Sequence, residues 1–188
     1  PVGCEPGAHR LDLGGRLDNA PLVAKGQVVQ RAGGLDVALQ TFEGAPRGIA
    51  LKLASPSTIA VDNGVAVLDK LTIQAGTGSV AVSGRAGETL DLSLGLNAVP
   101  AALINNFSPG LGAEGAIGGT VTVKGRAAAP VVNYALDWKG AVTSQTRGAG
   151  IGAVDINAKG EFANNQVRVD TVLSGAGGLS FRGGGTVG

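Results

Sequence analysis

The chain has 188 residues with 15 Lys+Arg against 14 Asp+Glu, a formal net charge of +1. Its basic residues are scattered singly, so the electrostatic stripe that phosphate-backbone binding needs is missing and nucleic acid is not an expected partner. It contains 33 glycines and no methionine, and is 44% hydrophobic but only 3% aromatic; glycine without a three-residue period excludes collagen, and apolar content placed this regularly excludes disorder.

A chain of this length holds one substantial core. Cys4 is the single cysteine and cannot form an internal disulfide; beside Pro1 and Pro6 it is expected in a frayed terminus. The longest apolar run, "VPAALI", is about six residues, far below the roughly 20 of a spanning helix. A chain opening on Pro1, without a charged-then-apolar leader, reads as a piece of a longer protein.

Period-2 alternation runs through nearly the whole sequence and predicts strands. In chain order, Leu35, Val37 and Leu39 share a parity against Asp36 and Gln40; Ile49, Leu51 and Leu53 against Lys52; Leu71 and Ile73 against Thr72 and Gln74; Val80 and Val82 against Ser83. The clearest run is "TLDLSLGLN", with Leu90, Leu92, Leu94 and Leu96 on one side and Asp91, Ser93, Gly95 and Asn97 on the other. Val121 and Val123 then oppose Thr122 and Lys124; Val132, Tyr134, Leu136 and Trp138 oppose Asn133, Asp137 and Lys139; Val154 and Ile156 oppose Asp155 and Asn157; Val167 and Val169 oppose Arg168 and Asp170. Turn signals at Asp62–Gly64, 75–78, 86–88, 124–130, 164–166 and 175–178 separate these runs, as expected of hairpins, since Asn-Gly and Gly-rich pairs accept positive φ.

The expected fold is all-β: one mostly antiparallel sheet of about a dozen short strands, joined mostly by hairpins in one continuous segment, 1–188. One short helix is expected at Pro100–Phe107, with Pro in the first turn and Asn105 and Asn106 ending it. "GRLDNAP" at 15–21, "SGRAGETLDL" at 83–92 and "GRAAAP" at 125–130 form a loose repeat. They suggest two modules, about 1–96 and 111–188, joined by an interruption at 97–110.

Groups capable of chemistry are few. "GLGAEG" at Gly110–Gly115 matches the dinucleotide string, but that fingerprint works between a strand and a helix N-terminus, whereas a strand-like "GTVTVKG" follows here. His9 is the only histidine and carboxylates such as Asp12 and Asp155 stand singly on polar faces, so neither a catalytic triad nor a histidine metal site is expected. "NFS" at 106–108 is a short sequon match to which no role is given, and the terminal "FRGGGTVG" lacks the aspartate of calcium-binding repeats. Trp138 shares its parity with Leu136 and Tyr134 and is read first as a member of the apolar face. No enzymatic activity and no cofactor are expected.

What remains is the apolar face itself. Two sheets could meet face to face around a core about 10 Å thick. Alternatively, one long sheet could leave its apolar lining incompletely closed, as a groove for an elongated aliphatic ligand.

The stretch "VPAALINNFSPGLGAEGAIGGTVTVKGRAAAPVVNYALDWKGA" resembles the C-terminal region of the TamB family of translocation and assembly module subunits, within the AsmA-like superfamily. Its pattern is a P-x-x-L-I…F-S-P-G-L segment followed by G-x-I-G-G-T-V-x-V-x-G-x-x-x-x-P, and it covers about a third of the chain. The resemblance implies an elongated, twisted β-taco, a half-pipe with an apolar concave groove, in a large Gram-negative envelope protein. Such a protein is anchored in the inner membrane by an N-terminal helix and crosses the periplasm. It further implies carriage of phospholipid between inner and outer membrane and outer-membrane protein assembly with a TamA-like barrel protein, membrane contact being made through the full-length protein. By strand parity the lipid-groove candidates are Leu90, Leu92, Leu94, Leu96, Val121, Val123, Tyr134, Leu136, Trp138, Ile156, Val167 and Val169. The alternative is a structural scaffold that binds envelope proteins by β-strand addition at open edges, and edge-to-edge dimerisation of the fragment is expected for the same reason.

Overall fold

A computed structural model describes residues 7–188; Cys4, expected at a frayed terminus, lies outside them. The described residues form an all-β protein with thirteen strands in a single sheet: β1 (Ala8–Leu17), β2 (Ala20–Arg31), β3 (Gly34–Gly44), β4 (Leu51–Leu53), β5 (Ser57–Asp62), β6 (Val65–Ala75), β7 (Gly78–Ala86), β8 (Thr89–Pro100), β9 (Glu114–Arg126), β10 (Ala129–Val142), β11 (Val154–Ala163), β12 (Gln166–Gly175) and β13 (Ser180–Val187). The order is a meander, β1-β2-β3-β4-β6-β7-β8-β9-β10-β11-β12-β13, with β5 seated beside β4 between β3 and β6. Every pairing is antiparallel.

The hairpins follow from turn chemistry. Asn63 and Gly64 have φ of 47° and 78°, and Asn164 and Asn165 of 51° and 59°. These are two-residue turns with both centres left-handed, which match the right-handed twist of the flanking strands. Asp18 and Asn19 do the same between β1 and β2.

At one end of the strands every connection is a two-residue turn, whereas the other end combines the two-residue turns at Asp18–Asn19 and Gly76–Thr77 with the longer connections. The second end carries the 3-10 turn Pro46–Gly48, the 3-10 helix Ala101–Asn106, a further turn at Pro109–Leu111, the short helix α1 (Ser144–Gly148) and the turn Ala176–Gly178. The expected helix at Pro100–Phe107 is thus a 3-10 helix that starts one residue later, because Pro100 closes β8 with an extended backbone and serves as its N-cap. Helix α1 was not expected. Its N-cap is a Thr-x-x-Thr box in which Thr143 Oγ1 accepts from the Thr146 amide at 3.2 Å and Thr146 Oγ1 accepts from the Thr143 amide at 2.9 Å. Ile49, assigned by parity to the strand of Leu51 and Leu53, lies instead in the turn before β4.

Among the described residues the strands form no second sheet. Contacts between strands follow the hydrogen-bonded ladder, so the face-to-face sandwich is replaced by one open sheet. Among the described residues the buried hydrophobic ones are few and mostly small: Leu53, Ala75, Ala101, Ala113, Ala141 and Val154, with no large side chain fully enclosed. They sit at or near the loop-bearing end, where Ala101 and Ala113 flank the 101–113 connection.

The connection between β8 and β9 leaves the sheet, but the two strands pair directly, Leu92 with Val123 and Leu94 with Val121. The interruption therefore lies in the chain path and not in the ladder. Asn105 holds it shut, its Nδ2 donating to the Ala113 carbonyl at 3.0 Å and its Oδ1 accepting from the Ala113 amide at 2.7 Å. At the tight-turn end Arg31 donates from Nε to Asp36 at 2.8 Å and bidentately to Asp62 at 2.7 and 2.6 Å, tying the β2–β3 hairpin to the end of β5. Asp62 first, then Asp36, keep this guanidinium protonated more firmly than usual.

Candidate functional site: the open apolar face

Side chains of residues directly opposite in an antiparallel pair project from the same face of the sheet. Following the register across the molecule therefore sorts every strand position. One row reads Leu71, Val82, Leu94, Val121, Tyr134, Gly160, Val169 and Gly185, from β6 to β13. The next reads Ile73, Val80, Leu96, Gly119, Leu136, Ala158, Thr171 and Gly183. On the other side, Leu92, Val123, Val132, Phe162, Val167 and Val187 form a parallel row.

The twelve candidate positions thus fall on one face. Leu90 stands opposite Gly125, and Trp138 stands between Ile117 and Ile156. All are half-buried except Val167, which is 37% exposed. They are shielded sideways by their cross-strand neighbours and left uncovered from above.

The two largest aromatics lie along this face with their polar ends satisfied. Trp138 Nε1 donates to the Glu114 carbonyl at 2.8 Å, and Tyr134 OH donates to the Arg168 carbonyl at 3.1 Å. Tyr134 reaches that far only because Gly160 is its neighbour: a Cβ at residue 160 would lie 2.5 Å from the phenol oxygen. A hydrogen-bonded hydroxyl and indole N–H add no unpaired polar group to the apolar surface.

The opposite face is polar. Asp91 faces Lys124, with Nζ 3.6 Å from Oδ1, and Glu43 faces Lys52 at 3.4 Å. Such exposed pairs each contribute little to stability. Two adjoining depressions over β9–β12, of about 290 and 510 Å³, open mainly among side chains of this polar parity, including Ala135, Lys159 and Asp170, which line both. Of the twelve candidates only Leu136 and Tyr134 reach their walls.

Near helix α1, Asp155 accepts from the Gly140 amide at 2.9 Å and from Lys139 Nζ at 3.0 Å. The Gly140 N–H first, then Lys139, hold this carboxyl below its ordinary value. The segment Gly110–Gly115 contains a left-handed Gly112, φ 56°, and runs directly into β9, so no helix N-terminus follows the glycines.

Several members of the face escaped strand parity. Val99 and Ile117 are paired with each other, and Leu173 and Phe181 continue the row from Ile156. A bulge at Asn97–Ala98, where Ala98 has φ 48°, switches the inward parity of β8 from even to odd, so Val99 continues the face that Leu96 leaves. Counting alternate residues cannot cross such a point.

In class, then, this is a single-sheet antiparallel meander with one apolar face and, among the described residues, no cluster of three or more side chains that could hold a metal ion. Comparison of the chain with family profiles, with curated proteins and with solved structures finds no match in any of the three.

Proposed function

We propose that this chain is a segment of a TamB-like lipid conduit, in which the apolar face shields acyl chains as they pass between inner and outer membrane. The supporting observation is the set of unroofed apolar rows: eight registered positions from β6 to β13, filled by aliphatic side chains, one tyrosine and two glycines, with no layer above them. In this reading the face curls as a half-pipe around the ligand. Each methylene taken out of water contributes about 0.8 kcal/mol, so a partly covered tail is held outside a bilayer, while near-equivalent positions along a row let it move. The motif from Asn97 onward supports the same reading through its resemblance to the TamB family. In that setting the chain works in the periplasm, the whole protein is held in the inner membrane, and its outer-membrane partner is a TamA-like barrel.

The test is organic extraction of the purified chain followed by lipid mass spectrometry, on the wild type, Leu94→Asp and Asp91→Leu. Leu94 stands mid-row between Val82 and Val121, whereas Asp91 points to the polar face. A carboxylate at residue 94 repels an acyl chain. Bound lipid should vanish in Leu94→Asp and persist in Asp91→Leu. A folded Leu94→Asp chain that keeps its lipid removes this row from the path, and a wild type carrying no lipid removes the conduit.

A further inference from the structure

The apolar face differs between its two ends. Nearest the loop-bearing end the register links Val99, Ile117, Trp138, Ile156, Leu173 and Phe181, an unbroken row of large side chains. Beyond that row the connections themselves expose Ile104, Phe107, Ile151 and Leu179. Nearest the other end, across β8, β9 and β10, the face thins to Leu90, Gly125 and Pro130. The two-residue turns there, 87–88, 127–128 and 164–165, hold only Gly, Glu, Ala and Asn.

Charge is distributed in the opposite sense. From β7 to β13 no Asp, Glu, Lys or Arg falls on the apolar parity. At the turn end of β7, β8 and β9 the polar parity brings Arg85, Lys124 and Arg126 to the strand ends, against Asp91 and the turn residue Glu88. Among the described residues Lys124 pairs with Asp91, whereas Arg85 and Arg126, both exposed, make no ion pair. Toward the loop-bearing end Lys139 and Arg147 are instead matched by Asp155 and Glu114.

These two gradients orient an amphiphile. Residues 90–99 of β8 span about 30 Å at roughly 3.3 Å per residue. The hydrocarbon core of a bilayer, two tails deep, is also about 30 Å, so one tail covers about half of that length. A headgroup set over the middle of the face would hold its charge against apolar side chains that cannot pair with it. One that overhangs the turn end meets guanidinium groups that bind phosphate by charge-assisted hydrogen bonds.

Resting on the conduit reading, we propose that the ligand is a lipid with an anionic phosphate headgroup that lies along the strands. Its tail ends rest on the row through Trp138, and its headgroup overhangs the turn end beside Arg85 and Arg126.

Trp138 is the only tryptophan and stands at the tail end of this path, so its fluorescence reads the orientation. The whole chain is loaded with phosphatidylglycerol brominated near the ends of its acyl chains, or with the same lipid carrying a nitroxide on its headgroup. Retention of each is measured by extraction and mass spectrometry. Tail bromines should quench Trp138 severalfold more strongly than the headgroup label. In Trp138→Phe with Leu90→Trp the ranking should reverse; residue 90 stands opposite Gly125, whose missing side chain leaves room for the indole. Retained lipid whose headgroup label quenches Trp138 as strongly as the tail bromines, or a folded Leu90→Trp chain without the reversal, overturns the orientation and leaves the conduit standing. No retained lipid overturns the conduit and this inference with it. If the Leu90→Trp chain fails to fold, the wild-type comparison decides alone. Arg85→Gln combined with Arg126→Gln should lower retention of phosphatidylglycerol severalfold and leave that of diacylglycerol, which has no phosphate, unchanged. Equal retention of phosphatidylglycerol by the wild type and this double variant overturns the placement of the headgroup.

Discussion

The loop-bearing end of the sheet and the middle of its apolar face are built from similar residues but treated differently. Around the 101–113 connection, alanines are enclosed, Ala101 and Ala113 completely, and the backbone of Ala113 is hydrogen-bonded both ways by Asn105. Across the middle, larger side chains such as Leu94, Val121 and Tyr134 keep part of their surface free. Under the proposed conduit the difference separates two tasks: tight packing at the end fixes the geometry, and the incompletely covered middle meets the ligand.

Substitutions should rank accordingly. Ala113→Leu forces three extra carbon atoms into a site with 0% exposure and should cost about 1–3 kcal/mol, the largest loss of the set, read from denaturant or thermal unfolding. Asn105→Ala leaves the amide and carbonyl of Ala113 without partners at a half-buried site and should cost about 1–2 kcal/mol. Leu94→Asp should cost about 1 kcal/mol, because the leucine is only half-buried and water reaches the new carboxylate. If Leu94→Asp instead destabilises as much as Ala113→Leu, the middle is as closed as the end and the distinction fails.

A smaller effect should appear with pH. The Asp155 carboxyl is held below its ordinary value of 3.8, so the stabilisation it lends the Gly140 turn is complete above that value. It is lost as pH falls through the lower folded value. Amide exchange at Gly140, corrected for its intrinsic pH dependence, should therefore lose protection below about pH 4. Asp155→Asn should remove that transition while leaving global unfolding almost unchanged, as expected of an exposed carboxylate.

Much of this was legible from alternation and turn residues. The run Leu90–Leu96, the Asn63–Gly64 turn and the one-sided placement of Tyr134, Leu136 and Trp138 all follow from period two and from the tolerance of Asn and Gly for positive φ. The choice between a sandwich and one open sheet was not legible, because both demand the same inward parity and differ only in what lies opposite. Val99 and Phe181 were missed for a local reason in one case and a long-range one in the other. A bulge resets the parity before Val99, and Phe181 joins the face only through its partner Leu173. Helix α1 left a readable mark, Thr143 and Thr146 three residues apart, but with threonine in the place where glutamate or glutamine is the usual signal.

A meander in which almost every strand contacts only those adjacent to it in sequence also has a temporal consequence. Closing each hairpin spans a short loop, so the entropy lost at each step is small and native contacts form early, in contrast to sandwiches that wait for distant strands to meet. Growth can start at any hairpin and spread strand by strand, as in linear repeat arrays. Pulse-labelled exchange should then show protection arriving in the order of ladder neighbours and, during unfolding, leaving first from β1 and β13, each held on one side only among the described residues.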